Sequence, residues 1–321
     1  MCPMRQGGSL PLLHGRRGPH GARVETPRPR TPREDDEERT VMTTNGRRRP
    51  APGAEQTDAP SPASARGLRP RVVGHRGAAL LEPENTLRSF RRALADGADT
   101  LECDVHLTRD GHVAVMHDAT IDRTADASSP RRTGALAELT RAELDEVRLP
   151  RGEVVPSLEE LLALLDETGP QSPTEPAQSP TEPPQCAPRL LVEVKAPDAA
   201  AAVCRLVTER EDVAVISFHP EALATVRELA PGTPVVLVAD HGDAAVALAH
   251  DLGAHGVALD VDHVSAADVA RAHGLGLEVN VWTANTEDQL RRGLEAGADS
   301  ISSDDPAWAI RQRERLASGN S

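Results

Sequence analysis

The stretch 94–104 reads LADGADTLECD, and its pattern returns as HDLGAHGVALD at 250–260 and LEAGADSISSD at 294–304. Aligned without gaps, each copy is a helix end, a Gly-Ala turn, a short apolar strand and a terminal aspartate. Gly97, Gly253 and Gly297 stand where a helix needs a residue at positive φ to stop, a conformation glycine adopts without steric cost. Asp104, Asp260 and Asp304 stand where the strand leaves the core. Helices alternating with short buried strands predict a parallel sheet joined by right-handed crossovers.

Working outward, further apolar runs keep the same rhythm: Arg71–Gly74, Val113–Met116, Leu190–Val194, Val213–Phe218, Pro234–Val238 and Leu277–Trp282. Helical patterns lie between them, as at Asn85–Ala95, Leu158–Leu165 and Glu287–Glu295. Several runs are apolar throughout, as expected of strands covered on both faces. An open doubly wound sheet would begin with a Gly-rich dinucleotide loop, and none is present. The expected fold is therefore α/β, a single (β/α)8 TIM-type barrel. Nine strand-like segments are one too many for it. The segment VHLTRDGHVAVM at 105–116 offers a reason, because Asp110-Gly111 flanked by alternating residues signals a two-residue hairpin. Paired positions would then sum to 221, setting Asp104 opposite His117. A parallel barrel strand at 112–117 is the alternative.

Composition sets the limits of this domain. Residues 1–70 hold 11 of the 27 prolines and 13 arginines, with almost no periodic apolar residues. Such a stretch cannot bury enough surface to offset its chain entropy, so 1–70 is expected to be a disordered Arg/Pro-rich tail. The barrel is expected over 71–316. The tail carries a net charge of +5, and the chain total of −14 leaves −19 for the remainder. An acidic domain argues against nucleic acid as the main partner. No run approaches the ~20 apolar residues of a transmembrane segment, and neither Met1 nor Met42, a second plausible start, is followed by an export signal. The four cysteines show no metal or disulfide spacing, so a cytoplasmic location is expected. Within the domain, 170–188 contains a tandem heptad, QSPTEPA then QSPTEPP, and is expected to be a low-complexity loop at the bottom of the barrel, away from the mouth.

The mouth is where charge breaks the apolar pattern. Gly74-His75-Arg76-Gly77 follows the first strand; an imidazole there can transfer protons near neutral pH, and a guanidinium can clamp phosphate. Pro83-Glu84-Asn85-Thr86 opens a helix, which capping alone explains, unless Glu84 also braces Arg76 from behind. Glu102 and Asp104, two apart on a strand, share one face. On an interior face they would repel and take up protons unless a hard cation such as Mg2+ or Ca2+ lay between them; on an edge strand they would simply face solvent. Glu193 and Lys195 repeat this spacing in the strand LLVEVK. Trp282, at the end of a later strand, is either a wall for substrate or core filling.

Taken together, these residues resemble the glycerophosphodiester phosphodiesterase family. The matching motifs are GHRG at 74–77, PENT at 83–86, ExD at 102–104, TxDGxxxxxHD at 108–118, ExK at 193–195, SF at 217–218, WTxN at 282–285 and SDxP at 303–306. They occur in the family's order across nearly the whole folded region. Ser303, where threonine is frequent, and the Pro-rich insertion depart from the pattern. The resemblance implies a metal held by Glu102, Asp104 and Glu193, with His75 and His117 as the acid/base pair and Arg76 and Lys195 stabilising phosphate. It also implies hydrolysis of a small-molecule glycerophosphodiester to glycerol 3-phosphate and an alcohol. A lysophospholipase D-type enzyme and a non-catalytic phosphodiester-binding barrel are the alternatives.

Overall fold

The computed structural model describes residues 69–168 and 189–318. The expected tail, apart from its last two residues, and all of the 170–188 insertion lie outside the described residues. Among the described residues, eight strands run parallel: β1 (Arg71–Gly74), β2 (Thr100–Leu107), β4 (Leu190–Val194), β5 (Val213–Ser217), β6 (Val235–Ala239), β7 (Gly256–Asp260), β8 (Glu278–Trp282) and β9 (Ser300–Ser303). The first strand pairs with β9 on one side and β2 on the other, so the sheet closes on itself. The fold is the (β/α)8 barrel.

The threefold repeat has a mechanical explanation. Gly97, Gly253 and Gly297 have φ of 87°, 59° and 85°, where a Cβ would be strained. Two residues on, each copy caps a neighbouring strand at the bottom of the barrel. Asp99 Oδ2 accepts from Val72 N and Asp299 Oδ2 from Val279 N, both at 2.8 Å. His255 Nδ1 accepts from Val235 N at 3.4 Å.

The ninth strand, β3 (Val113–Val115), is antiparallel to the extended end of β2, as a hairpin requires. The register differs from expectation by one residue. Val105 pairs with Val115 and Leu107 with Val113, so Met116, whose N–H donates to Asp104 O at 2.9 Å, stands opposite Asp104. His117 lies one residue beyond. The cause is a three-residue loop: Gly111 N donates to Thr108 O at 3.0 Å, Thr108 N to His112 O at 2.9 Å, and Gly111 takes φ 83°. A type I turn followed by a left-handed glycine is the usual three-residue hairpin.

Apolar side chains fill both faces of the strands. Outward-facing Leu101, Cys103, Val192, Val215 and Val257 pack into the main core under helices such as α1 (Leu87–Ala95) and α2 (Leu158–Thr168). A smaller cluster of Val73, Leu191, Ala214, Ile216, Val238 and Ala258 fills the barrel interior. Between β3 and α2 the chain builds a separate core from Met116, Ile121, Leu136, Leu139, Leu144, Val147, Leu149 and Val155. Among the described residues, no helix is long and apolar enough to cross a membrane.

Candidate active site

The carboxylates converge because of strand register. Asp104 is the direct partner of Glu193 between β2 and β4, and opposite residues of parallel strands point the same way. Glu102 points inward one layer below. All three are buried, and each offers a ligand oxygen within 4.8 Å of the others. Glu102 Oε1 and Asp104 Oδ1 make no hydrogen bond. Lys195 Nζ lies 2.7 Å from Glu193 Oε1 and 3.4 Å from Asp104 Oδ1.

Burial, with Asp104 and Glu193 alongside, pushes the Glu102 carboxyl up to about 8. Burial and Asp104 raise Glu193 as well. Asp104 moves the other way: burial opposes its ionisation, but Arg76 and Lys195 outweigh it. Two buried oxygens without a hydrogen bond, among crowded carboxylates, are what a hard divalent cation satisfies. The trio can hold one.

Both histidines stand beside this trio with the same wiring. His75 follows β1, and its Nδ1 donates to Asp304 Oδ1 at 2.7 Å, while Nε2 lies 4.0 Å from Glu102 Oε2. Burial disfavours its protonated form, yet the Asp304 bond and the Glu102 charge prevail and raise its pKa. Asp304 is itself gripped by Asn285, which donates through Nδ2 to Oδ2 at 2.5 Å and accepts from Asp304 N at 2.9 Å. His117 Nδ1 donates to Asp118 Oδ1 at 2.7 Å. A carboxylate can only accept, so each partner holds the proton on Nδ1 and leaves Nε2 for chemistry.

Arg76 is held by its backbone as much as by its side chain. Its φ is 53°, a conformation costing about 1 kcal/mol for a residue with a Cβ. Its N–H donates to Glu102 Oε2 at 2.8 Å, and its carbonyl accepts from Asn85 N at 3.1 Å and Ser89 Oγ at 2.9 Å. Gly77 permits this turn, since a Cβ there would come within 2.6 Å of the Ser89 carbonyl carbon. The Arg76 guanidinium lies 3.2 Å from Asp104 Oδ2 through Nε and donates from Nη1 to Glu84 Oε1 at 3.1 Å.

A cavity of about 230 Å3 opens at this mouth. His75, Arg76, Glu102, His117, Glu193 and Lys195 line it together with the apolar Leu191, Ile216, Val238, Phe218 and Trp282. Trp282 stacks edge-on against Phe218 at 5.5 Å and 86°. Of the residues given a catalytic, metal-binding or substrate-binding part from sequence, Asp104 and Glu84 are absent from this lining. Asp104 lies beneath it as a member of the trio. Glu84 is occupied by guanidinium groups, so its reach toward a ligand runs through Arg76.

Sequence reasoning assigned no part to four further residues. Asn85 is buried, donates through Nδ2 to Asp104 Oδ2 at 2.9 Å, and its place in a helix-start motif masked this. Asp118 and Asn285 were visible only as motif letters beside better candidates. Arg123, which bonds both Glu84 and Asp118, carries no local signal.

The fold and the mouth define a class: a (β/α)8-barrel protein with a buried carboxylate trio able to hold a divalent cation beside two carboxylate-anchored imidazoles. Residues 75–308 match the glycerophosphoryl diester phosphodiesterase family. The chain is 28% identical over 242 residues to a glycerophosphodiester phosphodiesterase of Caldanaerobacter subterraneus, covering 74% of this chain and 96% of the relative. Two solved structures share the fold. A glycerophosphodiester phosphodiesterase from Parabacteroides distasonis has a TM-score of 0.63 at 24% identity, covering 78% of this chain and 98% of its own. An Oleispira antarctica phosphodiesterase, solved in complex with the product sn-glycerol-3-phosphate, has a TM-score of 0.65 at 22% identity, covering 76% and 97%. The chain belongs to the glycerophosphoryl diester phosphodiesterase family.

Proposed function

We propose that this chain hydrolyses glycerophosphodiesters to glycerol 3-phosphate and an alcohol, with Glu102, Asp104 and Glu193 holding Mg2+ or Ca2+. The observation that carries this is the meeting of three buried carboxylates, two of them with an oxygen that makes no hydrogen bond, with two carboxylate-anchored imidazoles at one mouth. An all-oxygen anionic donor set suits hard cations. When bound, the cation supplies Lewis-acid polarisation of a phosphoryl oxygen.

The chain's own residues do the rest. Arg76 and Lys195 hold the phosphate and offset the charge that builds on it during displacement. One histidine accepts a proton from the attacking oxygen at Nε2, and the other delivers a proton from Nε2 to the departing alcohol oxygen. Asp304 and Asp118 keep each ring in the tautomer and orientation this needs. Trp282 and Phe218 supply an apolar part of the cavity lining. A single catalytic domain over 71–316 and a cytoplasmic setting belong to the same proposal. Supporting the setting, Cys103 and Cys204 are both buried and free of any disulfide.

The test is product analysis. Metal-stripped enzyme is assayed on glycerophosphocholine, glycerophosphoethanolamine and a lysophosphatidylcholine, with and without added Mg2+ or Ca2+. Glycerol 3-phosphate from the first two, only with metal, is expected. No glycerol 3-phosphate with either metal would refute the proposal.

A further inference from the structure

One guanidinium, outside the cavity lining, joins two sides of the site. Arg123 Nη1 and Nη2 donate to Glu84 Oε2 and Oε1 at 2.8 and 2.7 Å. Its Nε and Nη2 donate to Asp118 Oδ2 and Oδ1 at 2.7 and 3.0 Å. Each carboxylate carries a second load. Glu84 Oε1 also accepts from Arg76 Nη1 at 3.1 Å, and Asp118 Oδ1 from His117 Nδ1 at 2.7 Å. Glu84 stands in the loop from β1 to α1, whereas Asp118 and Arg123 stand in the segment after β3, so the linked groups come from separate parts of the chain.

We propose that Arg123 is a positioning residue, which sets the Arg76 phosphate clamp and the His117 imidazole in one mutual geometry through Glu84 and Asp118. The inference rests on the function proposed above and names a part of that machinery. Three observations favour positioning over mere attachment. The Arg123 side chain is 49% exposed, so solvent screens much of what its ion pairs add to stability. The segment that carries it is fastened elsewhere, by its own apolar core, by Val115 N on Pro156 O at 2.8 Å and by Arg151 on Glu82. Finally, a double fork onto two carboxylates uses the planar five-donor geometry of arginine, which an ammonium cannot reproduce. Without it, Asp118 loses one of the two groups that orient it under His117, and Glu84 loses one of the two that orient it behind Arg76. Misplacement of a reacting group by about 1 Å can cost on the order of 10²-fold in rate.

Steady-state kinetics of the full chain on glycerophosphocholine test this with R123A, R123K, E84Q and D118N. R123A should lose about 10²-fold in kcat/KM, shared between a higher KM and a lower kcat, with little change in melting temperature. E84Q should act chiefly on KM and D118N chiefly on kcat. R123A combined with D118N should lose less than the product of the single losses, as expected for groups in one network. Guanidinium at tens of millimolar should restore part of the R123A rate and none of the E84Q rate, which a merely structural role would not produce. If R123A fails to fold, R123K carries the test: a folded variant with lowered kcat/KM supports the inference, and wild-type kinetics overturn it. Kinetics of R123A within twofold of wild type, or a loss that tracks melting temperature and ignores guanidinium, also overturn it. A wild-type chain that releases no glycerol 3-phosphate overturns the proposed function and this inference with it. An active wild type with an unaffected R123A overturns this inference alone.

Discussion

Cation binding at the mouth should expel a proton, because Glu102 sits in the metal-free protein with its carboxyl pushed up to about 8 by burial and by Asp104 and Glu193. At pH 7 such a group is about 90% protonated, and a cation ligand must be ionised, so Glu102 by itself should release about 0.9 proton per ion, and Glu193, also raised, adds to this. The Glu102 share should shrink as pH rises through about 8. The affinity follows the same direction: it weakens by about tenfold or more per unit below pH 7, or about 1.4 kcal/mol. Titration calorimetry with Mg2+ or Ca2+, in two buffers of different ionisation enthalpy at each pH, measures both quantities. E102Q is the control: it removes one of three mutually repelling acids, so it should raise the melting temperature of the metal-free protein while losing the proton release and the tight site. A cation that binds equally well at pH 6 and pH 9 without proton release would refute the picture of a desolvated, mutually raised carboxylate pair.

Either H75A or H117A should lower turnover by about 10²–10⁴-fold with circular dichroism and melting temperature retained; wild-type-like rates in both would exclude histidine acid/base chemistry. D304N should also lower kcat, because an amide has one acceptor oxygen for the two donors, His75 Nδ1 and Asn285 Nδ2, that Asp304 accepts from, and the effect should appear in kcat with little change in KM. Acid stability carries a sign that can be checked. Arg123 and His117 hold the Asp118 carboxyl well below the usual carboxylate range, and Asp304 is also lowered: burial opposes its ionisation, but the His75 hydrogen bond and charge prevail. Depressed carboxyls contribute stability above their unfolded pKa of about 3.9 and lose it as pH falls toward the folded values. Melting temperature should therefore fall below about pH 4, chiefly through the more buried Asp304 and so less in D304N, while solvent around the half-exposed Arg123 screens the Asp118 contribution. Excision of 171–187 should leave kcat and KM unchanged. The flanking residues are already close, with Arg189 Nη2 donating to Thr168 Oγ1 at 2.9 Å, and they lie at the opposite end of β4 from Glu193.

The barrel was legible because its cause is local and repeated. Glycines at 97, 253 and 297 stop helices through their own backbone freedom, and strands buried on both faces must be apolar throughout, so composition and period reveal them. The charged interruptions at 102, 104, 193 and 195 stood out for the same reason, since alternation along a strand assigns them to one face. The hairpin was also visible, but its register was not. Whether Asp110-Gly111 forms a two-residue turn or the end of a three-residue one depends on Thr108 pairing with His112, and that single step decides whether His117 faces Asp104 or lies one residue beyond it.

The segment 119–156 showed no signal, because Leu136, Leu139, Leu144, Val147 and Leu149 follow neither a helical nor a strand period. They become a core only when folded against Met116 and Ile121. Arg123 is the extreme case. A solvated arginine in a polar stretch is ordinary as sequence, and nothing within several residues distinguishes it. Its meaning comes from two carboxylates, one of them 39 residues away, brought within 3 Å by the closure of the barrel. Residue type and spacing determine which chemistry a segment can offer, since they act through backbone conformation and burial along one element. Which groups meet, and which of them carry the charge, is decided by tertiary closure, because those energies depend on distances between elements that the linear order does not contain.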